Sequence, residues 1–149
     1  MLDDLGIVAT LGWFCRDFET IYSGIEVERI VAVREGEVPE PLKIVLFRIV
    51  QEAMNNVAKH SRADRVELNL KTVEDGLELR ISDNGVGFDV QRTISGSHPG
   101  GLGVSSMRER TELSGGTFAL EALEGRGTTV VAFWPWHVME PSPDTGHPA

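Results

Sequence analysis

The clearest pattern of hydrophobic and polar positions lies between Pro41 and His60. Its polar residues recur at offsets of 0, 4, 7, 8 and 11, which places them on one face of an α-helix. They are Arg48, Glu52, Asn55, Asn56 and Lys59. Apolar residues fill most other positions, so the pattern predicts a largely buried helix with one polar stripe. From this helix alone two interpretations stay open: the stripe faces water, or it faces a polar ligand that offsets the cost of desolvation.

The segments before this helix predict a further helix and a strand. Residues 3–20 have apolar positions at near-helical spacing, and Asp3 or Asp4 is a candidate N-cap. Ile25–Val33 alternates as a strand does. The striped helix is expected to begin at about Glu40, with a proline in its first turn.

The segments after it predict two β-hairpins with a helix between them. The first hairpin pairs residues 65–72 with 77–82, and the second pairs 117–123 with 128–134. Each is joined by a turn that contains glycine. Residues 104–113 predict the helix, which a pair of glycines closes.

Residues 84–103 are rich in glycine and predict a loop, whereas the proline-containing residues 137–149 predict a disordered tail. The order is therefore helix, strand, helix, strand, strand, loop, helix, strand, strand. Strands gathered into one mixed, mostly antiparallel sheet with the helices on one face give a two-layer α/β sandwich, an α+β fold.

Composition narrows the class of protein. A chain of 149 residues is one domain with a core, and its net charge of −9 argues against nonspecific binding to nucleic acid or anionic membrane. No apolar run reaches the roughly 18 residues of a membrane span. The only cysteine, Cys15, excludes an internal disulfide and fits a reducing cytoplasm. Because it lies among aromatic and aliphatic residues, we expect a packed, inert thiol.

The sequence Asp83-Asn84-Gly85-Val86-Gly87 follows directly on a predicted strand. A carboxylate there can accept a hydrogen bond from an exocyclic amine, and the glycines Gly85 and Gly87 let the backbone approach a flat ring. The alternative is a glycine-rich turn with a capping aspartate, since short glycine motifs are common.

The sequence Gly100-Gly101-Leu102-Gly103 opens the helix expected from Val104. Backbone N–H groups at a helix N-terminus, with the helix dipole behind them, favour a phosphate. The alternative is an ordinary flexible loop leading into a helix. The sequence fits neither a Walker A loop nor a dinucleotide fingerprint.

Taken together, residues 40–134 resemble the ATP-binding domain of the superfamily of gyrase, heat-shock chaperone, histidine kinase and mismatch-repair ATPases. The resemblance rests on the striped helix, the two glycine loops in order, and Gly127-Thr128-Thr129. Within it, the forms E-A-x-N-N-x-x-K-H from Glu52 and G-x-x-S-M-R-E-R from Gly103 are most similar to bacterial sensor histidine kinases that act on LuxR-type response regulators. The first residues of the chain are similar to the second dimerisation helix of that branch.

The resemblance implies a Bergerat-type fold, ATP and Mg2+ as cofactors, and a role for each matching residue. Glu52 matches the superfamily's general base, and Asn56 matches the Mg2+ ligand. Asp83 matches the residue that reads adenine. The implied nucleotide-binding set is Asn56, Lys59, His60, Asp83, Gly85, Gly87, Gly101, Leu102, Gly103 and Thr128.

The resemblance also implies a domain division and partners. Residues 1–20 would be the remnant of a dimerisation helix, residues 21–136 the catalytic domain and residues 137–149 the tail. The branch carries its phosphoacceptor histidine, followed by an acidic residue, upstream of where this chain begins, and none of the four histidines here lies in such a helix. We therefore expect a cytoplasmic module of a homodimeric kinase, either soluble or membrane-anchored as a whole, that acts with its own upstream acceptor domain and a response regulator. The alternatives are a stand-alone anti-sigma-type serine kinase and a nucleotide-gated binding module without transfer activity.

Overall fold

The computed structural model of the chain describes residues 2–86, 101–122 and 125–139, with backbone alone at residues 2–4, 101, 102 and 139. The α-helices are α1 (Leu2–Ile21), α2 (Glu40–Asn56), α3 (Gly101–Leu113) and α4 (Trp136–Met139). The strands are β1 (Glu26–Ala32), β2 (Arg65–Val73), β3 (Gly76–Asp83), β4 (Thr117–Ala122) and β5 (Thr128–Pro135). A 3-10 turn (Glu35–Glu37) precedes α2, and a π-helical turn (Val57–Ser61) follows it.

The described strands form one sheet in the order β1-β2-β3-β5-β4. The pair β1 and β2 is parallel, and the other three pairs are antiparallel. The predicted mixed, mostly antiparallel sheet is therefore confirmed. Strand β5 lies between β3 and β4, so the end of β3 meets the beginning of β5 at one edge of the molecule.

Alternate residues of the central strands face the helices. Val66, Leu68 and Leu70 of β2 are fully buried, whereas the residues between them are half-buried. The helices cover this face, and α2 buries Leu46, Ile49 and its other apolar residues against it. The two-layer arrangement follows from this period of two, since only one face of each strand is apolar enough to be covered.

Helix α1 differs from the predicted helix over residues 3–20 in how it begins. Its backbone is interrupted at Gly6, where φ is 81° and ψ is 174°. Asp3 and Asp4 lie in the helical segment before that break, so the expectation that one of them caps the helix was wrong. Beyond the break, Ile7 and Leu11 are fully buried in the same core as the sheet. The division of residues 1–20 from the catalytic domain stays a prediction.

Two other boundaries differ from the sequence-based expectation. Helix α3 begins at Gly101, three residues before Val104. It ends as predicted at a glycine pair, where Gly115 has φ 90° and Gly116 N–H donates to the carbonyl of Thr111 at 2.9 Å. The first residues of the predicted tail, up to residue 139, are helical in α4, and the remainder of the tail lies outside the described residues.

Cys15 is buried in α1, as predicted, and burial raises the pKa of its thiol to about 11. At pH 8 only about one thiol in a thousand is then ionised, and the thiolate is the reactive form. We expect Cys15 to react with Ellman's reagent only when the chain is unfolded in guanidinium. Complete reaction of the folded chain within minutes at pH 8 would contradict this.

Candidate functional site

Strand β3 ends at Asp83, opposite Thr128 at the beginning of β5. The backbone N–H of Gly85 donates to Asp83 Oδ1 at 2.8 Å. The backbone N–H of Thr128 also donates to this carboxylate. Asp83, Gly85 and Thr128, all predicted site residues, therefore lie together at the end of the two strands.

Burial raises the pKa of Asp83 above its ordinary value, and the N–H groups of Gly85 and Thr128 oppose this by favouring the carboxylate. A carboxylate has about four lone-pair positions, so two backbone donors leave acceptor capacity for a further donor. A partly buried acceptor of this kind is suited to an amine of a bound ring.

Glycine is required at two positions beside Asp83 because other chain segments approach the backbone closely. A Cβ on Gly85 would lie 2.1 Å from the carbonyl oxygen of Ser61. Gly127 has φ 89°, and a Cβ there would lie 2.1 Å from the carbonyl oxygen of Asp83. The N–H of Val86 donates to Ser61 O at 2.6 Å, so the loop after β3 is tied to the π-helical turn.

Asn84 was not among the predicted site residues, although it holds this corner together. Its Oδ1 accepts from the backbone N–H groups of Asp64 and Arg65, each at 3.1 Å, and its Nδ2 donates to Asp64 Oδ1 at 2.6 Å. The side chain thereby fixes the chain between the π-helical turn and β2. An asparagine after a strand is a turn signal, but its partners lie about twenty positions away and no local pattern identifies them.

Helix α2 carries the polar stripe, which the structure leaves at the protein surface. Arg48 and Asn55 are exposed, and Glu52 and Asn56 are half-buried. The α-helix ends at Asn56, however, and continues as the π-helical turn, which carries Lys59 and His60 on its exposed side. The prediction of one regular helix to His60 was therefore wrong in its last turn. Such turns are often found at functional sites.

A second group of predicted residues lies where α2 meets the beginning of α3. A Cβ on Gly103 would lie 2.9 Å from Oε1 of Glu52, so the carboxylate lies against the backbone of the first turn of α3. Gly101, Leu102 and Gly103 are the first three residues of that helix. The N–H groups of a first turn have no partner within the helix, and they attract a negative charge.

Glu52 also lines a groove of about 460 Å³ between three helices. Helix α1 contributes Phe14, Phe18 and neighbouring residues, and α2 contributes Arg48, Gln51, Glu52 and Asn55. Ser106 and Arg110 of α3 complete the wall. Glu52 is therefore accessible from the groove as well as in contact with α3.

Helix α2 and its π-helical turn connect the residues around Asp83 with the first turn of α3. Glu52 and Asn56 are one turn apart on α2, and Ser61 at the end of the π-helical turn contacts the loop after Asp83. Gly87 lies outside the described residues, as does most of the glycine-rich loop.

Within the described part of the chain, no three His, Cys, Asp or Glu side chains come together as a metal site. Two side chains of the stripe carry an amide oxygen, and of these Asn56 is half-buried whereas Asn55 is exposed. This fits Mg2+ bound through one protein oxygen together with phosphate oxygens and water, which is common for that ion. In the same described ranges, no helix is both long and apolar enough to cross a membrane.

These features are typical of a nucleotide-binding α/β domain. Residues 42–138 match the family of histidine kinase-, DNA gyrase B- and HSP90-like ATPases, and the chain therefore belongs to that family. The predicted resemblance is confirmed.

Several sensor kinases are similar to this chain over most of its length. It is 35% identical over 135 residues to the signal transduction histidine-protein kinase/phosphatase DegS of Brevibacillus brevis, covering 90% of this chain and 33% of that protein. It is 36% identical over 129 residues to the oxygen sensor histidine kinase NreB of Staphylococcus carnosus, covering 87% and 36%. The chain thus spans about a third of the length of these relatives.

Solved structures agree on the fold. The histidine kinase domain of the blue-light activated kinase EL346 from Erythrobacter litoralis superposes with a TM-score of 0.70 at 19% identity, covering 88% of this chain and 63% of that one. The ATP-binding domain of PrrB from Mycobacterium tuberculosis gives 0.61 at 27% identity, covering 81% and 87%.

Proposed function

We propose that this chain is the catalytic domain of a sensor histidine kinase, which binds Mg-ATP and transfers the γ-phosphoryl group to a histidine on a separate segment of the full protein. The observation that carries the proposal is the position of α2. Glu52 of α2 contacts the first turn of α3, and Ser61 of the π-helical turn that continues α2 contacts the loop after Asp83. This continuous segment therefore links a base-reading group to a phosphate-binding helix end.

In this proposal the adenine lies at the Asp83 corner, where the carboxylate accepts from its amine. Gly85 lets the loop after Asp83 pack against Ser61 beside the ring, and Gly87 allows close approach of the ring itself. The backbone N–H of Thr128 holds the Asp83 carboxylate in place. The triphosphate extends along α2 toward α3, past Asn56. Lys59 supplies positive charge and His60 a hydrogen bond from the π-helical turn, and the N–H groups of Gly101, Leu102 and Gly103 donate to phosphate oxygens.

Phosphoryl transfer depends mainly on positioning and on neutralising charge. The bond between the γ-phosphorus and its bridging oxygen breaks, ADP leaves, and the phosphorus bonds to a ring nitrogen of the acceptor histidine. Glu52 is suited to accept or orient the ring proton, because it lies at the junction of the phosphate-binding turn and the open groove. Mg2+, when bound at Asn56, offsets the charge of the phosphates.

The partners follow from the relatives, which are sensor kinases. We infer that the acceptor histidine lies on the kinase's own dimerisation domain upstream, that the full protein is a homodimer, and that the phosphoryl group passes to a response regulator with a LuxR-type output. We propose that this domain works in the cytoplasm, which supplies ATP and keeps thiols reduced, because its single cysteine, Cys15, is free.

Asn56→Ala tests the metal role. We expect the parent chain to bind Mg-ADP with modest affinity, measured by isothermal titration calorimetry, and to bind ADP more weakly when EDTA removes the metal. The variant should lose most of this dependence on Mg2+, because one oxygen ligand is gone, while it keeps the adenine contact.

Asn55→Ala is the matched control, since Asn55 is the preceding residue of the same stripe and is more exposed than Asn56. It should bind as the parent does. Equal Mg2+ dependence in Asn56→Ala and the parent would contradict the assigned ligand. Absence of any heat with millimolar Mg-ADP would contradict the proposed function itself.

A further inference from the structure

The break in α1 at Gly6 leaves a set of backbone donors in need of acceptors. Helical residues lie on both sides of it, but Gly6 itself has φ 81°. The helical turn that begins at Ile7 therefore has N–H groups without carbonyl partners one turn earlier. Ile7 is fully buried, so water does not readily replace them.

Glu35 supplies the acceptors from a distant part of the chain. The N–H of Ile7 donates to its Oε2 at 2.9 Å, and the N–H of Val8 donates to its Oε1 at 3.0 Å. Both oxygens of one carboxylate thus cap one helix, from a residue 28 positions later in the sequence. A negative charge at a helix N-terminus is also favoured by the helix dipole.

Lys43 holds this carboxylate in place. Its Nζ lies 2.6 Å from Glu35 Oε2 and 2.6 Å from Glu40 Oε1, and its side chain is only 9% exposed. Partial burial alone would raise the pKa of Glu35, but the hydrogen bonds from Lys43, Val8 and Ile7 lower it. Lys43 belongs to the first turns of α2, so the cap of α1 is anchored on the helix that carries Glu52.

The carboxylate occupies the space beside Gly6 itself. A Cβ on Gly6 would lie 2.4 Å from Cδ of Glu35, and its φ is one that other residues rarely adopt. The helix break at Gly6 therefore makes room for the Glu35 carboxylate, and the carboxylate in turn satisfies the N–H groups that the break leaves without partners. A side chain at residue 6 would displace Glu35 or force a different backbone.

We propose that Glu35, anchored by Lys43, is a positioning residue that fixes the direction in which the polypeptide before Gly6 joins the catalytic domain. Because Lys43 and Glu52 are on one helix, this direction is set relative to the catalytic site. The part of the proposal that concerns phosphoryl transfer rests on the proposed function, in which the acceptor lies upstream.

Hydrogen exchange on the 149-residue chain tests the cap. Glu35→Gln should speed exchange at the amides of Ile7 and Val8 by roughly ten- to a hundredfold, because it replaces a charged acceptor by a neutral one. Glu37→Gln is the matched control: it makes the same change in the same turn, and Glu37 accepts from the N–H of Arg34 at 2.8 Å rather than from α1.

Lys43→Met is a second variant, which removes the anchor and leaves the carboxylate, and it should speed exchange at the same two amides less strongly. The amide of Leu79 in β3 reports any general loss of stability. If neither variant raises exchange at Ile7 and Val8 beyond the change at Leu79, the proposed cap is wrong.

Phosphoryl transfer tests the positioning role. In a longer polypeptide that includes the acceptor segment, Glu35→Gln should slow transfer within the polypeptide by about tenfold, while transfer to acceptor added as a separate molecule and affinity for Mg-ATP stay unchanged. If Glu35→Gln slows both reactions equally, or slows neither of them, Glu35 does not have the proposed positioning role. If the parent polypeptide transfers nothing, the proposed function fails, and the exchange experiment alone then decides whether Glu35 caps α1.

Discussion

Asp83→Asn is expected to weaken Mg-ADP binding by about a hundredfold or more while the domain stays folded. The substitution keeps an oxygen that can accept from the N–H of Gly85, as Asp83 Oδ1 does at 2.8 Å. It replaces the other oxygen by an NH2 group, so an amine of the ring would meet a donor instead of an acceptor. An unpaired buried group and the loss of a charged acceptor each cost enough for this effect. Calorimetry with Mg-ADP is the measurement.

The variant should have a melting temperature close to that of the parent at neutral pH, because the relief of burying a charge offsets the weaker hydrogen bonds from Gly85 and Thr128. Burial raises the native pKa of Asp83, so the native state holds this proton more tightly than the unfolded state does. Asp83 therefore contributes stability at low pH, and this contribution is lost as the pH rises through the native pKa. Asparagine does not ionise, so the variant does not carry the cost of burying the charged carboxylate at neutral pH. A melting temperature well below that of the parent would make loss of binding uninformative. Binding equal to the parent in a folded variant would show that the adenine does not lie at Asp83.

Glu52→Gln is expected to slow phosphoryl transfer by roughly a hundred- to ten-thousandfold, the range for removal of a general base. The amide has nearly the same shape, so contact with the backbone of Gly103 should persist. Affinity for Mg-ATP should stay the same or increase slightly, because a negative charge next to the phosphates is removed. Single-turnover transfer to an acceptor polypeptide gives the rate, and calorimetry gives the affinity.

Gln51→Glu is a useful control for this effect, since Gln51 also lines the groove on α2, whereas the three atoms that would lie nearest to a Cβ on Gly103 all belong to Glu52. It should change the rate far less. A loss of affinity in Glu52→Gln as large as the loss of rate would contradict a role in the transition state and indicate ground-state binding.

Local sequence patterns were sufficient to predict most of the secondary structure. The period of two in β2 and β3 and the turn between them identify the first hairpin, because alternate apolar residues need one covered face. Helix α2 begins at Glu40 as expected, with Pro41 in its first turn. In each of these cases the determining residues are neighbours in the sequence.

Features that depend on distant partners could not be predicted in this way. The insertion of β5 between β3 and β4 is set by pairing across the sheet. The cap of α1 is provided by Glu35, where the local pattern had favoured Asp3 or Asp4. A carboxylate in a short turn gives no local signal that it will reach a helix 28 positions earlier.

The candidate site was predicted partly from chemistry and partly from resemblance. Asp83 at the end of a strand followed by glycine indicated a ring-binding corner, and the structure places Gly85 and Thr128 around it. The contact of Glu52 with Gly103 joins two segments about fifty residues apart, and only the family resemblance suggested that they belong to one site. The π-helical turn after Asn56 had no recognised sequence signal.

Incubation with γ-labelled ATP tests the central claim most directly. The 149-residue chain and Mg-ATP are mixed with a polypeptide that carries the upstream acceptor helix but no catalytic domain. We expect acid-labile label on the acceptor polypeptide and none on the chain, since the proposed function places the acceptor histidine on a separate segment. Acid-labile label on the chain alone would show that one of its own histidines is the acceptor. Acid-stable label, or none on either molecule, would contradict the assignment as the catalytic domain of a histidine kinase.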